Sequence, residues 1–192
     1  MIKNNFYDKR DEKFGKIKSI FYSAFASFSS SKKFYYFVIN DINNRNFNSI
    51  MDIGCGTGFI INSISKNKHK TFYGIDPSVP MLDIAKKDSH NVKYMLGSSR
   101  KIGVNKKFDI IFTSLSFHHW PDKISSLLYL KRFLNENGRI IIYEYNKDCM
   151  NKLTKFFIGA HAIGKTEINA LIKAGIKINV SIKDSFVILE IK

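Results

Sequence analysis

The sequence predicts a doubly wound α/β sheet, mostly parallel, that finishes in an antiparallel hairpin strand. Three observations predict it. From residue 48 onward short apolar runs alternate with amphipathic helical stretches, which implies a parallel sheet with helices on both faces. The run FDIIFTS at 108–114 is apolar on both of its faces, as a central parallel strand must be. The last two apolar runs, 177–181 and 186–191, have no helix between them and read as a hairpin.

Each element has its own justification. Residues 13–27, with Phe28 just beyond, place Phe14, Ile17, Phe21, Phe25 and Phe28 on one helical stripe, and residues 31–42 continue as a second helix. The stretch NNRNFN is a turn region before the first strand, 49–53. A helix is expected over 58–66 and a second strand over 71–75. Ser78 is a fitting N-cap for a helix through residue 87. A third strand covers 92–96, and the fourth is 108–114. Pro121 is expected at the start of a helix that runs to residue 134, since proline suits the first helical turn. Asn137-Gly138 reads as a turn before a fifth strand at 139–145. A helix over 166–174 is expected to end at Gly175, and Lys183-Asp184 turns the final hairpin. Seven strands result. The chain 1–192 reads as one domain, with 1–45 as a helical cover and 48–192 as the sheet core.

Composition narrows the class. Hydrophobic residues make up 44% and charged residues 24%, ordinary values for a globular protein. Two cysteines, Cys55 and Cys149, give no disulfide framework and no metal-ligand spacing. A reducing, cytoplasmic setting is expected. The charged start MIKNNFYDKRDEKFGK does not read as a signal peptide, and no apolar run approaches the ~20 residues of a membrane span. The net charge of +15 keeps a nucleic-acid face open. It is spread evenly, however, with +5 over 1–47, +3 over 48–100, +3 over 101–145 and +4 over 146–192.

The strongest local signal is IMDIGCGTGFI at 50–60. Strand, glycine loop and helix in that order form the nucleotide-binding arrangement of an open α/β sheet. Glycines there permit a tight turn and let a ligand approach the main chain. A second element stands at the right distance. Asp76 ends the second strand, where a carboxylate can accept from the ribose hydroxyls of an adenosine. A dinucleotide fingerprint would need glycine at 59, and Phe59 is there.

The set DIGCGTG, GIDPS, FDIIFTSLSFHHWPD and NGRIIIYE resembles the class I S-adenosylmethionine-dependent methyltransferases, strongly over 48–145, and within them the ubiquinone/menaquinone-biosynthesis type. The resemblance implies a Rossmann-like sheet of order 3-2-1-4-5-7-6 with strand 7 antiparallel, and S-adenosyl-L-methionine as cofactor. It places Asp52 and the loop Gly54, Cys55, Gly56 and Gly58 against the methionine portion. Asp76 would hold the ribose, Pro77 and Met81 would flank the adenine, and Ser114 and Leu115 would lie beside the sulfonium. Met81 also fits a plain core position, and Cys55 fits as a small residue in the loop. The family commonly has an acidic residue after strand three. Here Gly97-Ser98-Ser99 stands instead, so Ser98 and Ser99 would meet the adenine without charge assistance.

Chemistry beyond the cofactor is less marked. His118 and His119 follow strand four at the carboxyl edge of the sheet, where His119 could take a proton at neutral pH. The bland alternative is that HHW packs the loop. Glu144 either faces the acceptor or is a solvated strand end. Tyr7, Tyr22, Tyr35 and Tyr36 could line a lid, with residues 155–161 as a second wall. Three functions compete: methyl transfer to a small molecule, methyl transfer to RNA or protein, and cofactor or partner binding without turnover. No metal is expected.

Overall fold

The computed structural model describes residues 29–66, 69–89, 91–150 and 162–192. The predicted helix at 13–27, Tyr7, Tyr22 and the wall at 155–161 lie outside them. Among the described residues eight strands form one sheet of order β3-β2-β1-β4-β5-β8-β7, with β6 paired to β5 off that path. The strands are β1 Ser49–Ile53, β2 Thr71–Asp76, β3 Val92–Leu96, β4 Phe108–Ser114, β5 Leu134–Asn146, β6 Ala162–Ile163, β7 Ile178–Lys183 and β8 Phe186–Ile191. The helices are α1 Ser29–Asn43, α2 Phe59–Ile64, α3 Val79–Lys87, α4 Lys123–Lys131 and α5 Lys165–Lys173. Strands β3, β2, β1, β4 and β5 run parallel, and β8 pairs antiparallel with both β5 and β7. The expected order is therefore present, with the two-residue β6 added. It pairs Tyr145 with Ala162 and Asn146 with Ile163, and is too short to announce itself by alternation.

Alternation sends each strand's side chains to two cores. In β1, Met51 and Ile53 join one cluster and Ile50 the other. The first core lies under α4 and α5, around Leu127, Leu130, Ile168 and Leu171. The second lies under α1 and α2, where Phe34, Val38 and Ile42 follow one another at helical spacing and are fully buried. Each such side chain contributes about 1.5–3 kcal/mol.

Two sequence expectations need correction, and each has a physical cause. The helix after strand four does not begin at Pro121 and does not reach residue 134. Asp122 caps it, its Oδ1 accepting from the Ser125 N–H at 3.0 Å, so Pro121 stays outside. The helix stops at Lys131 because Leu134 already pairs with Phe108 in the sheet. Asn137-Gly138 is not a turn ahead of the strand but an excursion inside β5. The register jumps from Phe108–Leu134 to Ile110–Arg139, and the side-chain faces of β4 change over at Asp109. Asp109 ties this irregularity down. Its Oδ2 accepts from the N–H groups of Asn48 (2.7 Å) and Ser49 (2.9 Å), and its Oδ1 accepts from the Asn135 amide. Partial burial opposes its charge, but these hydrogen bonds win and hold its carboxyl below the usual range.

Candidate active site

Strands β1, β2 and β4 end side by side, with Asp52 opposite Gly74 on one side and Phe112 on the other. The glycine loop turns back over this edge. The N–H groups of Gly54 and Cys55 both donate to the Ile75 carbonyl, at 2.8 and 3.0 Å. Gly54, Gly56 and Gly58 all have positive φ. Their surroundings differ. A Cβ on Gly54 would stand 2.1 Å from Ser116 Oγ, and one on Gly58 would stand 2.2 Å from the Tyr94 hydroxyl. A Cβ on Gly56 would meet nothing within 4 Å. Gly54 lets the loop after β4 approach, Gly58 lets α2 seat on Tyr94, and Gly56 faces open space.

Two cavities flank the loop and share Gly54 and Gly56. The larger is lined by Asp76, Pro77, Met81, Ser98, Ser99, Leu115 and His119, together with Ile53, Ser116, Trp120 and Pro121. The smaller is lined by Asp52, Cys55, Ser114 and Ile60, and by Tyr35, Thr57 and Phe59. Of the loop residues named from sequence, Gly58 lines neither. Met81 satisfies both of its readings, being 2% exposed and also a wall of the larger cavity.

Two buried carboxyls sit at this junction. Asp76 Oδ2 accepts from the Gly56 N–H and Oδ1 from the Ser78 N–H, each at 2.8 Å. Ser78 in turn caps α3. Burial pushes the Asp76 carboxyl up to about 6, although both N–H donors pull the other way. Asp52 is 1% exposed, and its Oδ1 has no hydrogen-bond partner among the described residues. Burial, and then the charge of Asp76, raise its carboxyl well above the usual range. A buried acceptor left bare costs about 1–3 kcal/mol, more if charged, so the position is suited to a donor brought by a ligand. Ser98 and Ser99 are turned partly to internal contacts. Ser98 Oγ accepts from the Arg100 N–H at 3.3 Å, and Ser99 Oγ lies 3.1 Å from Ser126 Oγ.

The histidine loop is a short 3-10 turn, Phe117–His119. His119 reaches the larger cavity, whereas His118 turns inward. The Nδ1 of His118 lies 3.3 Å from Glu144 Oε1 and 3.2 Å from Oε2, and its backbone N–H donates to Oε1 at 3.3 Å. Glu144 is fully buried, so it is no solvated strand end, and it lines neither cavity. Among the described residues no group of three or more His, Cys, Asp or Glu is placed to hold a metal ion.

Residues 51–142 match the methyltransferase-domain family. This stretch is a methyltransferase domain. An uncharacterised methyltransferase from Alkaliphilus oremlandii is 35% identical over 114 residues, covering 55% of this chain and 52% of its own. One from Anoxybacillus flavithermus is 29% identical over 110 residues, 56% of this chain and 51% of its own. The chain thus spans about half the length of the curated relatives it matches. Among solved structures, a SAM-dependent methyltransferase from Aquifex aeolicus superposes with a TM-score of 0.74 at 20% identity, over 93% of this chain and 98% of its own. The plantazolicin methyltransferase BamL, solved with a triazolic desmethylPZN analog and SAH, gives 0.71 at 20% identity, over 88% and 73%. At such identities the solved structures show the class I methyltransferase fold.

Sequence reasoning missed several wall residues of the methyltransferase domain. Ser116 and Trp120 enter the larger cavity because the 3-10 turn folds back, a geometry without a periodic signature. Phe59 was read only as a bar to dinucleotides, yet it stands at the smaller cavity with its ring 5.3 Å from that of Tyr35. Its place in the sequence was the available signal, since an aromatic opening a helix after a glycine loop has little core to enter, and it is indeed 45% exposed. Tyr36, offered with Tyr35 as a lid residue, points to solvent at 59% exposure.

Proposed function

We propose that the methyltransferase domain binds S-adenosylmethionine and transfers its methyl group to a small-molecule acceptor. The observation that carries the cofactor is Asp52, whose unpartnered buried oxygen stands beside an open glycine loop. An ammonium group is the donor that such an oxygen suits, and it would hold the carboxylate ionised. Asp76 keeps lone pairs for ribose hydroxyls beyond the two N–H groups it accepts from. Pro77 and Met81 supply apolar walls for adenine, with Ser98 and Ser99 offering uncharged polar contact. Gly54, Cys55 and Gly56 present main chain to the methionine portion, with Ser114 and Leu115 next to it. Gly58 supports this by packing rather than by contact.

When bound, S-adenosylmethionine supplies an electrophilic methyl group on a sulfonium. The chain's own part is to position the acceptor, exclude water and receive a proton. Trp120, Leu115 and Ile53 give the larger cavity apolar wall, and His119 is the titratable group on it suited to take a proton from the acceptor at neutral pH. The aromatic pair Tyr35 and Phe59 at the smaller cavity supports a compound rather than a macromolecule as acceptor. The BamL neighbour, solved with a triazolic desmethylPZN analog, supports the same class.

Calorimetry with S-adenosylmethionine, S-adenosylhomocysteine and NAD tests the cofactor. Micromolar binding of the two sulfur compounds and none of NAD is expected. Asp76→Ala should weaken it about 100-fold, the loss of roughly 3 kcal/mol of charge-assisted hydrogen bonding. Equal binding by the variant, or binding of NAD instead, contradicts the reading. The charge of +15 favours a second acceptor class, RNA. That reading requires RNA affinity that falls steeply as salt rises.

A further inference from the structure

The paired histidines are not equivalent, and their geometry says how they divide the work. The rings of His118 and His119 lie with centroids 3.9 Å apart, tilted 51°. One of them touches Glu144 through both carboxylate oxygens, and Glu144 is fully buried on β5. The other is a wall of the larger cavity. A carboxylate sealed from water needs a cation beside it. His118, 9% exposed, is in contact with it and, when protonated, supplies one. Two stacked imidazoles cannot both carry charge at so short a distance without strong repulsion.

We propose that His118 is a positioning residue: held charged by Glu144, it keeps the stacked His119 ring neutral and fixed on the cavity wall, ready to accept a proton. The other charged groups here act in known directions. Lys123 on α4 donates to the carbonyls of His118 (3.3 Å) and Trp120 (3.2 Å), and its cation also disfavours charge on His119. Burial lowers the Lys123 ammonium, while Glu144 and Glu167 oppose that. Glu167 on α5 is itself paired with Lys147 at 3.3 Å. Asp76 lines the same cavity as His119, and its ionised form, like that of Glu144, favours protonation there. During methyl transfer the proton leaves an O–H or N–H of the acceptor for a ring nitrogen of His119, which becomes the cation. As His119 gains that proton, His118 passes its own Nδ1 proton to the Glu144 carboxylate it touches, so the pair carries one positive charge at a time.

The proposal rests on the methyl-transfer reading only for what gives up the proton. Its test does not need an acceptor. Histidine-labelled full-length chain carries five histidines, and their ring resonances are followed by NMR from pH 4 to 9. His118→Gln and His119→Gln assign the two signals by their loss. In the wild type His119 is expected to titrate at clearly lower pH than His118. Removing the charged neighbour in His118→Gln should raise the His119 midpoint by about one pH unit or more, a tenfold change in its protonation constant. Glu144→Gln, which keeps the shape of the side chain, should lower His118 and raise His119 together. A wild-type His119 that titrates at or above His118 overturns the proposal, and this holds even if the buried variants fold poorly. So does a His119 midpoint that neither substitution moves. Failure to bind S-adenosylmethionine leaves these titrations as they are, so the two ideas fail separately.

Discussion

Asp76 shows what one side chain is asked to do in this fold. It holds the Gly56 and Ser78 N–H groups, and burial still leaves its carboxyl at about 6, against about 3.9 in an open chain. The folded state therefore binds that proton more tightly than the unfolded state. Its contribution to stability is complete below about pH 4 and is lost as pH rises through 6, a difference of roughly 3 kcal/mol. Urea unfolding of the ligand-free chain at pH 4 and pH 7 is expected to show this slope, and Asp76→Asn should flatten it by about 2–3 kcal/mol. Parallel pH profiles for the two proteins contradict the assignment. Asp52 adds to the slope in the same direction. A cationic ligand reverses the balance by stabilising the ionised forms. Both carboxyls were legible in the sequence by their place at the carboxyl end of a strand. Their cost was not, because burial and the missing partner of Asp52 are properties of the assembled sheet edge.

At the scale of elements, the loop and its neighbours divide into parts that serve folding and parts that serve binding. Gly58 has φ +75°, and an added Cβ would collide with Tyr94 and stand 2.9 Å from the Ala85 methyl carbon. Gly58→Ala is expected to cost about 2–4 kcal/mol by thermal or urea unfolding, from backbone strain and overpacking together. Gly56 has φ +55° with open space around it. Gly56→Ala should cost only about 1 kcal/mol in stability while weakening cofactor binding about tenfold or more, since the methyl group points where a ligand would lie. The reverse ranking would mean the loop does not face the cofactor. Local chemistry predicted elements well where one residue decides the outcome. Ser78 caps α3 as its type suggests, and Gly175 ends α5 in the left-handed region. It failed where two segments compete. Pro121 looked like a helix start, but Asp122 offered the cap, and Leu134 was claimed by Phe108 across the sheet. Leu115 takes φ +48° without being glycine, a strain held by its N–H donating to the Tyr143 carbonyl at 3.1 Å. No pattern of sequence announces that.

Across the whole molecule the missing crossover before the last strand made the antiparallel hairpin legible, and the family resemblance supplied the sheet order that the structure has. What could not be read was the clasp between the first described helix and the last strand. Arg45 binds Asp41 at 2.7 Å and Glu190 at 2.6 Å, and the buried Tyr143 hydroxyl donates to Asp41 at 2.7 Å. Pairings between positions so distant have no local signature. Arg45→Ala leaves two part-buried carboxylates without their shared cation and is expected to cost about 2–4 kcal/mol of unfolding free energy. An effect under about 0.5 kcal/mol would place the cluster with ordinary surface pairs. No helix among the described residues is long and apolar enough to cross a membrane. Strand β8 lies between β5 and β7 although it follows both in the chain. On the ribosome, then, Arg45 emerges long before Glu190 exists, and β5 waits with its ladder open until the closing hairpin slots in. A nascent chain halted before residue 186 would carry a guanidinium answered by Asp41 alone and a bare margin on β5. That margin is an open ladder of N–H and C=O groups, and it closes only when β8 pairs along it.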